Sequence, residues 1–290
     1  MINWANLVSQ MFNGLVLGAL LALISSGLTI IYGTLGVLNL AHGAMFMLGG
    51  YAGYVAYTYT DSFLLAVIAG SLFVMVVGVV MERVVIRHFY GRPDEDQLLV
   101  TFGLGICFVE VVRLLFGSLS LTVPPPKAFA GITSLGFMFY PTYRLWLVAI
   151  IAAALLVLFL ILYRTRIGMI VRAGIEDSLM VSSLGINVYR VFMVVFGIGA
   201  MAAGFAGIIN APVVSLTPDM GEAILVQTFV VVIGGVGSFP GAILGGLIAG
   251  EIISITSMIN PGYAYVMLFA AMTLVLLLRP HGLLGAQSRG

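Results

Sequence analysis

The chain predicts an all-α fold: a polytopic membrane helix bundle of about eight to nine segments, some of them short or re-entrant. Three observations predict it. Hydrophobic residues make up 61% of the 290 and charged residues only 8%, against about 25% charged in a soluble domain. Apolar runs recur along the whole chain, long enough to cross a ~30 Å hydrocarbon core. The 36 glycines suit the close helix–helix contacts that hold bundles together in lipid. So little polar sequence remains that residues 1–290 read as a single transmembrane domain. The net charge of +1 supplies no field to attract a nucleic acid, so lipid is the expected surrounding and no nucleic-acid partner is expected.

The predicted spans are Val8–Tyr32, Val37–Tyr57, Phe63–Val85, Leu98–Phe116, Leu145–Leu162, Val191–Ile209, Ile224–Ile233, Ala242–Ile255 and Ala264–Leu278. Ile224–Ile233 is short for a span and is the candidate for a re-entrant or broken helix, which survives at membrane depth only against protein or a water-filled cavity. Met1–Gln10 has no positively charged n-region and is not read as a cleaved signal peptide. Arginines set the orientation. They cluster at Arg83, Arg87 and Arg92, at Arg164, Arg166, Arg172 and Arg190, and at Arg279 and Arg289. These three regions are expected in the cytoplasm of a bacterial inner-membrane protein, with the N-terminus outside and the C-terminus inside. The opposite loops are poor in positive charge. Pro124, Pro125 and Pro126 in 117–144 exclude helix there and predict a rigid extracytoplasmic cap. The lone cysteine, Cys107, can form no internal disulfide.

Two Gly-rich breaks stand out. Thr29–Gly43 and Val230–Ala242 share a layout of apolar run, glycine break and small-residue helix, and in this topology they form a parallel repeat. In the first, Asn39 and His42 are three residues apart and are expected on one helix face. They fit either the lining or gate of a solute path or a hydrogen-bonded clasp to a neighbouring helix. In the second, Gly237, Gly241 and Gly245 recur at four-residue spacing, with Gly246 and Gly250 as a further pair, a pattern for helix packing. No lysine follows the glycines and no βαβ context surrounds them, which argues against a phosphate loop. Intramembrane charge is sparse. Glu110 and Arg113 are spaced to pair, Glu82 sits beside Arg83, and Glu251 stands late in its span. These are too few carboxylates for a proton relay, which disfavours a stand-alone ion-coupled secondary transporter. With only His42, His88 and His281, no metal cluster or hydrolytic constellation is legible, which disfavours an intramembrane enzyme.

The stretch 164–190 is a mixed-charge island between two apolar runs. Within it, Ile175 to Leu184 reads as a short amphipathic helix, with acidic Glu176 and Asp177 at its start and an apolar stripe from Leu179, Met180 and Leu184. Glu176 and Asp177 suit anionic lipid poorly, so a groove in another protein is the better fit than the headgroup surface.

These motifs carry a family resemblance. Gly36-Val-Leu-Asn-Leu-Ala-His-Gly, Arg172-Ala with Glu176-Asp and Leu184-Gly-Ile-Asn, Gly234-Gly-Val-Gly-Ser-Phe-Pro-Gly-Ala and Arg279-Pro-His-Gly-Leu-Leu-Gly resemble the membrane permeases of branched-chain amino acid ABC importers, the LivH type. The likeness extends over nearly the whole chain. It implies a pore formed with a second, related permease, a periplasmic solute-binding protein, and two cytoplasmic ATPase subunits that carry ATP and Mg. No cofactor is implied on this chain, and no catalysis. It further implies that Arg172, Ala173, Glu176, Asp177, Leu184 and Gly185 form the ATPase-coupling element, and that Asn39 and His42 flank the path. Related permeases serve urea and short amides, so the resemblance specifies the family more tightly than the solute. Ile175 and Val181–Ser182 depart from the small residues common in relatives, which leaves the ATPase pairing rules open.

Overall fold

The computed structural model describes residues 4–134, 136, 138–176, 178–234, 238–279 and 284. An apolar helix stands over each predicted span: α1 (Trp4–Leu35), α2 (His42–Thr60), α3 (Phe63–Val84), α4 (Asp94–Phe116), α5 (Thr142–Arg164), α8 (Val188–Asn210), α9 (Met220–Gly234), α10 (Phe239–Ile259) and α11 (Ala264–Leu278), while α6 (Arg166–Glu176) and α7 (Ser178–Ser183) lie between the spans. The sequence did not anticipate α6. Seven helices among the described residues are long and apolar enough to cross a membrane. The two predicted spans that do not qualify are α2 and α9. At 15 residues, α9 reaches about 22 Å, short of a ~30 Å core, in keeping with the short or broken helix expected there.

Local chemistry sets the ends. Ser62 Oγ caps α3 by accepting the Leu65 N–H, and Asn187 and Ser238 do the same for α8 and α10 at 3.2 Å each. Asp94, Glu95 and Asp96 occupy the first turn of α4, where the helix dipole favours them. Gly36 ends α1 with φ +68°, a left-handed conformation that glycine adopts without strain. The proline-rich segment is non-helical through 124–126, as expected, and leads through a 3-10 turn (Lys127–Phe129) to a hairpin, β1 (Ile132–Ser134) antiparallel to β2 (Phe139–Pro141) with Thr133 opposite Tyr140.

The centre of the bundle is α1, whose apolar window is 89% buried against 17% for α4 and for α5. It packs most extensively on α10, while α8 packs on α1, α2 and α3. Glycine makes these approaches possible. A Cβ at Gly49 of α2 would collide with the backbone of Gly204 of α8, and one at Gly250 of α10 with the backbone of Gly18 of α1. At Gly27 it would lie 2.7 Å from the Gly199 carbonyl oxygen. Gly246 approaches Ala22 as closely, whereas Gly245 stands against Val231 of α9 at 3.2 Å. The tight face of α10 is therefore the Gly246 and Gly250 pair. Gly241 is buried in the first turn of α10, and Gly237 lies outside the described residues.

The two ends of the bundle differ in charge. At one end Leu121 and Leu216 pair through backbone bonds of 3.0 and 2.8 Å, and Tyr140 and Arg144 both bond Asn13 of α1. At the other, Arg87 and Tyr90 meet Tyr189 and Phe192 of α8, and Phe159 meets Phe239. That second end carries Arg83, Arg87, Arg92, Arg164, Arg166, Arg172 and Arg190.

Gly49→Leu is expected to lower stability by about 3 kcal/mol through overpacking, read as a lost or strongly lowered Tm in detergent micelles. Gly103→Ala, where nothing stands within 4 Å of a new Cβ, is expected to raise stability by about 0.5 kcal/mol.

Candidate functional site

At the arginine-rich end the chain leaves the bundle as two helices, α6 and α7, rather than the single helix Ile175–Leu184 that the sequence predicts. Arg166–Glu176 has few strong breakers and keeps Ile167, Ile170 and Val171 in helical register, so the helix begins nine residues earlier than the stripe of Leu179 and Leu184 suggests. Arg172 sits on α6 and reaches back over the elbow from α5. Its Nη1 donates to the Leu162 carbonyl oxygen, and its guanidinium lies 5.3 Å from the Tyr163 ring centroid. Ala173 is exposed beside it. Gly168 fits under the same elbow, where a Cβ would strike Leu162. Beyond α7, Leu184 is 74% exposed and Gly185 turns the chain with φ +79°. Asp177 and the Glu176 side chain lie outside the described residues. α6 packs on α5, α1 and α8, and α7 on α8. The structure thus brings Arg172, Ala173, Leu184 and Gly185 to one exposed end and keeps Asn39 and His42 apart from them, inside the bundle.

Next to this end lies a polar latch that the sequence reading missed. Glu82, on the last turn of α3, is fully buried. Arg87 donates to it through Nε (3.4 Å) and Nη2 (3.1 Å), and the Tyr90 hydroxyl donates at 2.9 Å. Its partner is therefore Arg87 and not the adjacent Arg83. Burial and the Glu82 charge push the Tyr90 phenol far above its ordinary range, which keeps it a proton donor. Arg87 also lies over Tyr189, 5.4 Å from the ring centroid, and Tyr90 packs edge-on against Phe192. The latch ties the end of α3 to the first turn of α8. A signal was present in the spacing Glu82-Arg87-Tyr90, but a separation of eight residues with a 3-10 turn inside it has no simple periodicity.

The first Gly-rich break is irregular from 36 to 41. Asn39 is therefore not on a helix face with His42. It lies before α2, where its Oδ1 accepts the Ala41 N–H at 3.0 Å and its carbonyl accepts the His42 N–H at 3.2 Å. The glycine at 36 ends α1 too early for the helical spacing to apply. Thr101 of α4, also missed, supports the break. Its Oγ1 accepts the Leu40 N–H at 3.1 Å and sits 3.3 Å from the Leu38 carbonyl oxygen. His42 Nε2 meets the Ile24 carbonyl oxygen of α1 at 3.0 Å. A carbonyl accepts only, so Nε2 carries the proton, and the buried Nδ1 faces no partner among the described residues. Asn39 and His42 are both fully buried within this protomer. Elsewhere, Arg113 pairs with Glu110, as its spacing predicts, and also with Asp219 at 2.7 Å.

Residues 10–277 match the family model for the permease component of branched-chain amino acid transport systems. The chain belongs to this family. The permease is 33% identical to the high-affinity branched-chain amino acid transport permease LivH of Salmonella typhimurium, over 96% of this chain and 95% of that one. It is 32% identical to BraD of Pseudomonas aeruginosa, with the same coverage. It is 27% identical to LivM of Escherichia coli, over 89% of this chain and 66% of the other. As a multi-pass membrane permease, it has its exposed helices and its buried break in the parts of the chain that carried the resemblance.

Arg87→Ala, which strands Glu82 in the interior, is expected to destabilise the permease by on the order of 3 kcal/mol. The double variant Glu82→Gln/Arg87→Ala is expected to recover part of that loss in a detergent melt.

Proposed function

We propose that this permease is the membrane subunit of an ATP-driven importer and moves a branched-chain or similar aliphatic amino acid by alternating access. Its relatives are named for branched-chain amino acid transport, and the family matches nearly end to end. The observation that carries the mechanism is the pair α6 and α7, folded as helices outside the membrane spans, with Leu184 exposed at the arginine-rich end. Arginine enrichment supports a cytoplasmic location for that end, with the N-terminus outside and the C-terminus inside the inner membrane. ATP hydrolysis belongs to two separate ATPase subunits, and this chain performs no catalysis. Residues 164–190, with Arg172, Ala173, Glu176, Asp177, Leu184 and Gly185, seat in a groove of those subunits. The likeness to both LivH and LivM supports a second, related permease across the pore, and a periplasmic binding protein delivers the solute. Asn39 and His42 support the path by fixing the break between α1 and α2, a break that rocking helices would bend.

Proteoliposomes holding the permease with its partner permease, the two ATPases and the binding protein are expected to take up leucine, isoleucine or valine only with ATP. Uptake by this chain alone on an ion gradient would overturn the reading. Glu176→Arg/Asp177→Arg is expected to cut ATP-driven uptake at least tenfold while the protein remains folded. Unchanged uptake would remove the docking assignment.

A further inference from the structure

A cleft of ≈ 440 Å³ opens between α1, α8 and α9, and α2 and α5 also contribute to its wall. That volume falls in the range of small-molecule sites, roughly 300–1,000 Å³. Most of the wall is aliphatic, with Val16, Leu17 and Leu20 from α1 and Val213, Met220 and Ile224 from the opposite side. Two polar groups distinguish it from a packing defect.

The first is Arg144, the single charged residue of the lining. Its Nη1 donates to Asn13 Oδ1 at 2.7 Å, and the same oxygen accepts the Tyr140 hydroxyl at 2.9 Å. Asn13 in turn donates Nδ2 to Gln10 Oε1 at 3.2 Å, and Ser254 of α10 donates to Gln10. The guanidinium is thus held in place by a relay of neutral groups. Among the described residues no carboxylate lies within ion-pair distance of it. Arg144 therefore has no countercharge among the described residues and keeps most of its five donors, and the planar fork matches a carboxylate. The second is Gln227 of α9. Its Nε2 donates to the Tyr265 hydroxyl at 3.0 Å, which leaves a buried Oε1 with no partner among the described residues. A buried amide oxygen without a donor is costly unless a ligand or water supplies one.

We propose that this cleft binds a small aliphatic solute bearing a carboxylate, an aliphatic amino acid being the fullest match, with Arg144 receiving the carboxylate and the α1 aliphatic face receiving the side chain. The site rests on the transport reading above for its substrate class. It places a solute station within a single protomer, beside α1 and away from the exposed helices α6 and α7. The phosphate of an anionic lipid, with its acyl chain along Leu17 and Leu20, offers related chemistry from another source.

The test uses the full chain in nanodiscs of zwitterionic phosphatidylcholine, with saturation-transfer NMR on free leucine. Leucine methyl resonances are expected to receive saturation, and isoamylamine, which lacks the carboxylate, at least fivefold less. Arg144→Gln is expected to reduce the leucine signal at least fivefold and Arg144→Lys to restore part of it. Leu17→Trp, which fills the cleft and leaves Arg144 intact, is expected to abolish the signal and guards against a folding defect in the first variant. Equal signals from the wild type, Arg144→Gln and Leu17→Trp would overturn the site. So would a leucine signal erased by adding anionic phosphatidylglycerol, which would assign the cleft to lipid. Leucine uptake by the assembled importer with no signal from the cleft would overturn the site and leave the transport reading intact. A cleft signal with no branched-chain uptake would do the reverse.

Discussion

Everything in this bundle depends on backbone meeting backbone at α1, α2, α8 and α10. Lipid chains are as apolar as leucine, so no hydrophobic force drives helices together once they are inserted. Dispersion between closely packed surfaces and a few polar contacts must do it. Gly49 against Gly204, Gly18 against Gly250 and Gly27 against Gly199 supply that closeness. Because α8 makes such contacts with α1 and α2 and also packs along α3, a shift of α8 cannot remain local. The same tightness that stabilises the core makes it move in units.

The polar groups follow a second constraint. A backbone that leaves helical geometry at membrane depth must find its hydrogen bonds in neighbouring protein. The break at 36–41 does so through Thr101 Oγ1 and the Asn39 side chain. His42 then spans to the Ile24 carbonyl, which fixes the start of α2 against α1. Glu82 obeys the same rule at the bundle's edge, with three donor contacts from Arg87 and Tyr90. In both places one residue type would be expensive alone, and its neighbours make it tolerable.

How far the sequence was legible follows from which of these constraints is local. Apolar runs are local, and the helices stand where Val8–Tyr32 and the other runs predicted. The shortness of α9 was visible in Ile224–Ile233 for the same reason. The glycine stripe of α10 was visible as a four-residue repeat, but which glycines touch α1 depends on the facing helix, and Gly246 and Gly250 were not separable from Gly245 by spacing alone. Asn39 stands off the helix face expected for it because helical periodicity does not cross Gly36, whose left-handed φ ends the helix. The charges of Arg166–Glu176 read as loop, but Ile167, Ile170 and Val171 share a helical register and the helix packs on α5, α1 and α8, contacts that lie beyond local sequence. Thr101 and the pairing of Arg113 with Asp219, 106 residues away, are purely tertiary.

These pieces define a line of mechanical contact. α7 leads within a few residues into α8, whose first two turns carry Tyr189 and Phe192. Those rings pack on Tyr90 and Arg87, which grip Glu82 at the end of α3. α6 and α7 are thus joined to α8 and α3 by packing, an ion pair and ring contacts. Further along, α8 meets α1 and α2 at glycines that leave no slack, and Asn210 at its far end lines the cleft that holds Arg144. α8 thus runs from the exposed helices at one end of the molecule to the lining of a solute-sized cleft at the other, a placement that the proposed alternating access would use.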